Sequence, residues 1–453
     1  MIPKILKVIF IIVIIIIFIA GFSSSYKAHT IDNIVHVVAI GIDKCNDEQN
    51  NMKVSFQFVN MSSSNDSSGG DASTVVTSIT SNTINKAINL MNSYIGKELN
   101  FSHCKVIVFS EDFAKEGIST EICTLVNDEE IRPSTNIVIS TSDANTYLKN
   151  SNPNIEKLVT NYYDTFELTS NFTGYSDDTT IGRFYTKLFD ESASNTAIPG
   201  RTFKNTSDSQ NTEQDSSEKN SQSKSENNSD STSQEQSQEN SKNSSQSENK
   251  DSAQNTSGNT EQNNSSGTSL DISGQRGTQN VGIAVFKDAK YIGQLSEMDS
   301  ICHLLITNNV DSFIISVPMK DSPNNLLDLD VSRTQNSKIK VDTSSDTPKI
   351  SISVHCEGKV LTADKDSNYA DSEILTSISK EAANFLKQNI ESYLDKISKK
   401  FQADITGFSN HALHNFLTKK DWEDYNWTSK FEKANFDIKV DFNITSSLLF
   451  SGD

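Results

Sequence analysis

Between Lys204 and Ser269 a single hydrophobic residue, Ala253, stands among 66 positions; the rest are Ser, Asn, Gln, Glu, Asp, Lys, Thr and Gly. Such a segment cannot bury enough apolar surface to offset the entropy lost on ordering, so it is expected to be disordered. The fold must be built from what lies on either side. Eleven acids against five bases make the tract mildly acidic. Its Asn-x-Ser/Thr triplets, such as Asn205-Thr206-Ser207, are what this composition produces by chance. A flexible coil of this length has an r.m.s. reach of roughly 40–50 Å, so the linker itself leaves the flanking regions free to dock or separate. The expected division is residues 1–25 as a membrane segment and 26–203 as an N-terminal α/β region with a candidate subdomain break near 150. Residues 204–272 form the linker and 273–453 a C-terminal α+β domain.

Lys4 and Lys7 precede an unbroken apolar run from Val8 to Phe22. Positive charge followed by a run of this kind has the form of a secretory n-region and h-region. At 1.5 Å per residue the run is about 22 Å long, against a hydrocarbon core of about 30 Å. Ile5 and Leu6, with Lys7 snorkelling outward, bring it close to a span. Ile19-Ala20-Gly21-Phe22 reads like a bacterial lipobox with Phe22 where the lipidated Cys would stand. Phenylalanine has no thiol, so thioether lipidation there is chemically excluded. Ser23-Ser24-Ser25 is a weak substitute for a small-residue cleavage site. The expectation is an uncleaved signal anchor built on Val8, Ile11, Val13, Ile16, Phe18 and Phe22, with the lysines cytoplasmic and everything after Tyr26 outside. A cleaved signal peptide and a secreted chain is the alternative.

A formal net charge of -19 argues against nucleic-acid binding and against a polybasic grip on anionic lipid. The five cysteines, Cys45, Cys104, Cys123, Cys302 and Cys356, are odd in number and show no C-x-x-C spacing. They read as small buried apolar residues rather than a disulfide framework.

Periodicity supplies the elements. Ile34–Ile42, a polar turn to Asn51, and Val54, Phe56 and Phe58 at period two form a hairpin signature. Residues 61–73 read as a surface loop. Thr83–Leu99 is a helix candidate with Ile84, Ala87, Ile88, Met91 and Ile95 on one face. Lys105–Phe109 and Asn136–Ser140 read as buried strands, and Ser142 and Asp143 as caps of a helix toward Leu148. Residues 155–203 are less regular and are a candidate subdomain. After the linker, Val281–Phe286 and Tyr291–Leu295 bracket a short hairpin turn. A helix from Ser296 to Ile306, strands at Phe313–Val317, Leu327–Val331, Ile339–Val341 and Ile350–Val360, and a long helix with a stripe from Ile374 to Phe401 follow. That stripe reads as core in preference to a partner-binding face. Phe436–Ile444 alternates cleanly and is expected to be an antiparallel strand with one wet face. The fold class is α+β, multi-domain, with mixed and antiparallel sheets packed with helices.

No nucleophile elbow, H-E-x-x-H, Walker A, G-x-G-x-x-G or EF-hand loop occurs. His103-Cys104, Cys302-His303 and His355-Cys356 could each contribute one zinc ligand, but neighbours on a strand point to opposite faces, so structural packing is the better reading. Asp421-Trp422-Glu423-Asp424, with Trp427 nearby, reads as a helix start with solvated acids and a core Trp in preference to a paired-carboxylate site. No catalytic, cofactor or metal residue is assigned.

Several short stretches in order resemble one family. They are Ile31-Asp-Asn-Ile-Val, Val38-Ala-Ile-Gly-Ile-Asp-Lys44, Phe101-Ser-His-Cys-Lys-Val-Ile-Val108, Phe113-Ala-Lys-Glu-Gly-Ile118 and Glu130-Ile-Arg132. Beyond the linker come Gly282-Ile-Ala-Val-Phe-Lys287, Gly293-x-Leu295-Ser-Glu297, Asp404-Ile-Thr-Gly-Phe408 and Trp427. Together they resemble the C subunit of nutrient germinant receptors, the Ger(x)C type of spore germination protein. The resemblance implies a non-enzymatic subunit without cofactors on the outer face of the spore inner membrane. It would assemble there with two integral-membrane subunits to trigger germination in response to small nutrients. Family members are usually lipoproteins, and here Phe22 departs from that pattern, as does the long insert. The residues alone are also compatible with an unrelated extracytoplasmic binding or stalk protein, and less so with a wall hydrolase.

Overall fold

The computed structural model describes residues 33–45, 47, 49–59, 74–151, 156, 158–190, 192–203, 277–319, 322–361 and 371–445, with Ile12 alone before them. The expected anchor (apart from Ile12), the 61–73 loop and the linker lie outside the described residues.

The expected hairpin is β1 (Ile34–Lys44) paired antiparallel with β2 (Met52–Val59). β3 (Thr74–Ser81) adds to β2. Periodicity alone does not reveal it, because an edge strand of Thr and Ser with few aliphatics carries little apolar signal. α1 (Ile84–Ile95) starts where the Thr83 hydroxyl accepts from the Lys86 N–H, stops at Gly96 and buries Ile84, Ala87 and Met91. There follow β4 (Glu98–Asn100), β5 (Val106–Ser110), α2 (Glu111–Glu116), α3 (Ser119–Val126), β6 (Asn136–Ser140), α4 (Ala144–Asn150), α5 (Val159–Thr173), α6 (Ile181–Leu188) and β7 (Thr196–Thr202). The stretch read as irregular thus supplies two helices and an interior strand.

β1, β5, β6 and β7 run parallel. Ile40, Ile42, Ile107, Phe109, Ile137 and Ile139 face α1–α3 and α6 on one side. Val38, Val106, Val108 and Val138 face α4 and α5 on the other. Burial on both faces is why β5 and β6 read as unbroken apolar runs.

Three strands from beyond the linker complete this sheet: β8 (Thr278–Asn280), β9 (Ile283–Lys287) and β10 (Lys290–Leu295). The strand order is β10-β9-β7-β6-β5-β1-β2-β3, with β4 beside β1 and β8 beside β7. The β9–β10 turn places Asp288 and Ala289 at φ 51° and 59°, as a two-residue hairpin requires. Sequence assigned 273–295 to the C-terminal domain, because the hairpin is legible locally while its partner β7 lies across the linker.

The second sheet has the order β11-β12-β13-β14. Its elements are α7 (Glu297–Thr307), β11 (Ser312–Met319), β12 (Ser322–Asp342), β13 (Lys349–Val360), α8 (Ser372–Asp395) with a π-helical turn at Lys396–Lys400, α9 (Phe408–Leu413), α10 (Lys419–Tyr425), α11 (Trp427–Phe431) and β14 (Asn435–Thr445). Two expectations change. Leu327–Val331 and Ile339–Val341 belong to one strand, β12, whose register against β13 shifts between Arg333 and Lys338. β14 is parallel to β13, not antiparallel. Period-two alternation reports which face is buried, not direction. The helical connection from α8 to α11 carries the chain back to the end where β13 began. α8 buries Ile378, Ala382, Leu386, Ile390, Tyr393 and Leu394, so its stripe is core.

Gly282 enters β9 at φ +96°, and a Cβ there would collide with the Leu295 carbonyl oxygen. Gly282→Ala is expected to destabilise the chain by about 2–4 kcal/mol in urea unfolding. Gly96→Ala, at φ +71° with nothing within 4 Å, should cost only about 1 kcal/mol.

Candidate functional site

Two carboxylates organise the ends of elements, Asp43 from a buried position and Glu130 from an exposed one. Asp43, at the end of β1, accepts from the Ala144 and Asn145 N–H groups at 2.5 and 3.1 Å and so caps α4. The expected local cap, Asp143, makes no side-chain cap bond. Burial raises the Asp43 carboxyl above its ordinary value despite these two amide bonds. Glu130 accepts from Asn100 Nδ2 at 2.6 Å and from the Phe101 N–H at 2.7 Å, fixing the turn that leads into β5.

A polar seam lies where elements from before and after the linker meet. Asp177 Oδ2 accepts from the Thr179 and Thr196 hydroxyls at 2.7 Å each. His303 of α7 is buried, with Nδ1 2.8 Å from the Tyr393 hydroxyl, which stands 2.7 Å from Thr406 Oγ1. Burial lowers His303 to about 4, although the Asp177 charge pulls the other way. Burial would raise Asp177, but the His303 ring and the threonine hydroxyls outweigh it and hold the carboxyl below its usual range. Lys187 Nζ donates to the Ser194 carbonyl at 3.4 Å, and burial lowers its pKa against the pull of Asp177 and Asp404.

Asp404 closes the seam. Its carboxylate accepts from the Gly407, Phe408 and Ser409 N–H groups at 2.9, 3.0 and 2.7 Å and from Trp427 Nε1 at 3.1 Å. Its carbonyl accepts from the Ser194 N–H at 3.1 Å. The Asp404-Ile-Thr-Gly-Phe408 stretch therefore starts α9, seats Trp427 and binds the segment before β7. Burial raises the Asp404 carboxyl despite these four bonds.

Beside this knot opens a groove of about 790 Å³. Phe189 and Asp190 after α6 form one wall, and Leu413, His414, Leu417 and Trp422 line the other. Trp427 is buried under Trp422, with ring centroids 6.0 Å apart. Three large apolar side chains on the groove are open to solvent: Leu417 is 99% exposed, Phe189 71% and Leu413 44%. Such a surface is suited to taking up apolar side chains between polar margins. Nothing in the sequence marked it, because Phe189, Leu413 and Leu417 sit at helix ends or in loops with no period to read. The only available cue was large aliphatic and aromatic residues set singly among polar ones.

The His-Cys pairs stay apart. His103 is exposed, edge-on to His36 with ring centroids 4.9 Å apart, while Cys104 is buried. Cys302 and His303 are both buried in α7. His355 lies 3.3 Å from Asp441 on the second sheet, with Cys356 turned into the core. All five cysteines are free thiols, and burial pushes Cys104 and Cys356 up to about 12. Asp421, Glu423 and Asp424 are exposed. Among the described residues no group of three or more His, Cys, Asp or Glu could hold a metal ion. No helix among them is long and apolar enough to cross a membrane. The anchor residues Val8, Ile11, Val13, Ile16, Phe18 and Phe22 lie outside the described residues.

His303 makes stability depend on pH. The unfolded imidazole protonates near 6.5 and the buried one only near 4. Between these values the unfolded state holds the extra proton, so stability is full above the window and falls by about 3 kcal/mol as pH drops through it. His303→Gln should flatten that part of the profile, measured by urea unfolding at a series of pH values.

The family described as spore germination protein N-terminal domain matches residues 27–200, and that described as spore germination B3/GerAC-like, C-terminal, matches residues 281–447. A structural search finds the crystal structure of the GerBC protein, at 14% identity and a TM-score of 0.49, over 89% of this chain and 96% of that one. No curated protein sequence matches the chain.

Proposed function

The chain belongs to the GerAC-like family of spore germination proteins, and from that membership we propose that it is the non-enzymatic C subunit of a spore nutrient germinant receptor. The observation that carries the reading is the ordered match of both family regions, one on each side of the polar tract. In this reading Val8–Phe22 holds the chain in the spore inner membrane with its bulk on the outer face. It assembles there with two integral-membrane subunits. The apolar run behind Lys4 and Lys7 supports the anchor. The exposed apolar side chains of the groove support a role in binding partners rather than in chemistry.

The test is germination of spores lacking this chain across single amino acids, salts and sugars, with complementation by full-length and Val8–Phe22-deleted forms. Loss of response to particular nutrients is expected, restored by the full-length form alone. Normal germination with every nutrient, in a background without sister receptors, would leave a general extracytoplasmic binding protein as the better reading.

A further inference from the structure

We propose that the groove between Phe189, Asp190 and Ser192 on one side and α9–α11 on the other is the docking site for an integral-membrane partner, which inserts an apolar segment carrying a few large aliphatic or aromatic side chains. The inference rests on the reading of the chain as an anchored receptor subunit and adds the surface through which it assembles.

Position comes first. β1, β5, β6 and β7 are parallel, so all four begin at one end of the sheet. Phe189, Asp190 and Ser192 of the groove immediately precede β7 (Thr196). β1 begins at Ile34, and eleven residues separate it from the end of the apolar run at Phe22. Even fully extended, that connection spans at most about 40 Å. Three strand spacings of about 4.8 Å separate β1 from β7. In the anchored reading, the groove opens at the end of the sheet from which the chain leads back to the apolar run, within reach of a membrane-embedded partner.

Chemistry selects the occupant. Leu417, Phe189 and Leu413 expose apolar surface around a cavity of about 790 Å³, which holds several side chains of a partner. A bilayer surface would not fill such a concavity. Anionic headgroups would also call for a margin of one sign, whereas Asp190, Lys419 and Glu423 mix signs, as a polar rim facing another protein does. Leu168 and Phe172 on α5 and Ile314 on β11 are also exposed, but they do not line this groove.

The test uses the full-length chain in its native membranes, carrying a benzophenone amino acid at Leu417 or, as control, at Ile314. An adduct at Leu417 that mass spectrometry identifies as a protein with several transmembrane helices, absent at Ile314, is expected. An adduct with lipid alone, with a second copy of this chain, or no adduct at Leu417 overturns the proposal. Leu417→Asp, at a position that buries nothing, should leave the thermal midpoint unchanged and lower the co-purified multi-spanning protein by about tenfold or more. Undiminished co-purification with Leu417→Asp overturns the groove while leaving the subunit reading intact. If the unsubstituted chain co-purifies with no multi-spanning protein, the subunit reading falls and takes the groove with it.

Discussion

β9 is five residues long and belongs to two cores at once. Ile283 and Val285 pack among the side chains of α7, α8 and the second sheet. Ala284 and Phe286 pack into the first sheet's core, where Phe286 meets Phe184 edge-on at 5.1 Å between ring centroids. Each large side chain buried this way contributes about 2 kcal/mol, and the two faces cannot be separated without breaking the strand. The residues flanking the polar tract are therefore one compact unit. A linker long enough to let the halves part is countermanded by a strand that both halves bury.

The polar seam works alongside β9 in a different way. Buried carboxylates are costly unless every lone pair is met. Asp404 is met by three amides and an indole, and Asp177 by two hydroxyls. Such groups add less net stability than their bond count implies, but they tolerate only one arrangement of the partners around them. The Ser194 amide on the Asp404 carbonyl ties the wall that precedes β7 to the wall built by α9–α11. The shape of the groove is thus set by contacts between segments on opposite sides of the linker, and the chain gains a surface that neither half could present alone.

Much of this was legible residue by residue. The β1–β2 hairpin, β5 and β6, the β9–β10 hairpin and α8 all announce themselves through periods of two or 3.6, because local burial imposes them. The stretches of family resemblance were visible as strings, but their reasons were not. The structure explains Asp43 as the cap of α4, Glu130 as the clasp of a turn and Gly282 as a residue with no room for a Cβ. β3 escaped notice because an edge strand needs little apolar surface. The direction of β14 escaped because alternation is the same in parallel and antiparallel ladders.

Sequence by itself determined the family, the α+β class, the expectation of an N-terminal apolar anchor and the identity of most buried faces. Each of these is written in composition, order or short period. Tertiary structure decided that β8–β10 complete the sheet begun by β1, that β14 runs parallel to β13, and that Phe189 and Leu417 share a groove. These depend on pairings between residues far apart in the chain, whose cost is loop closure and whose reward is burial. No local pattern records which distant strand will collect that reward.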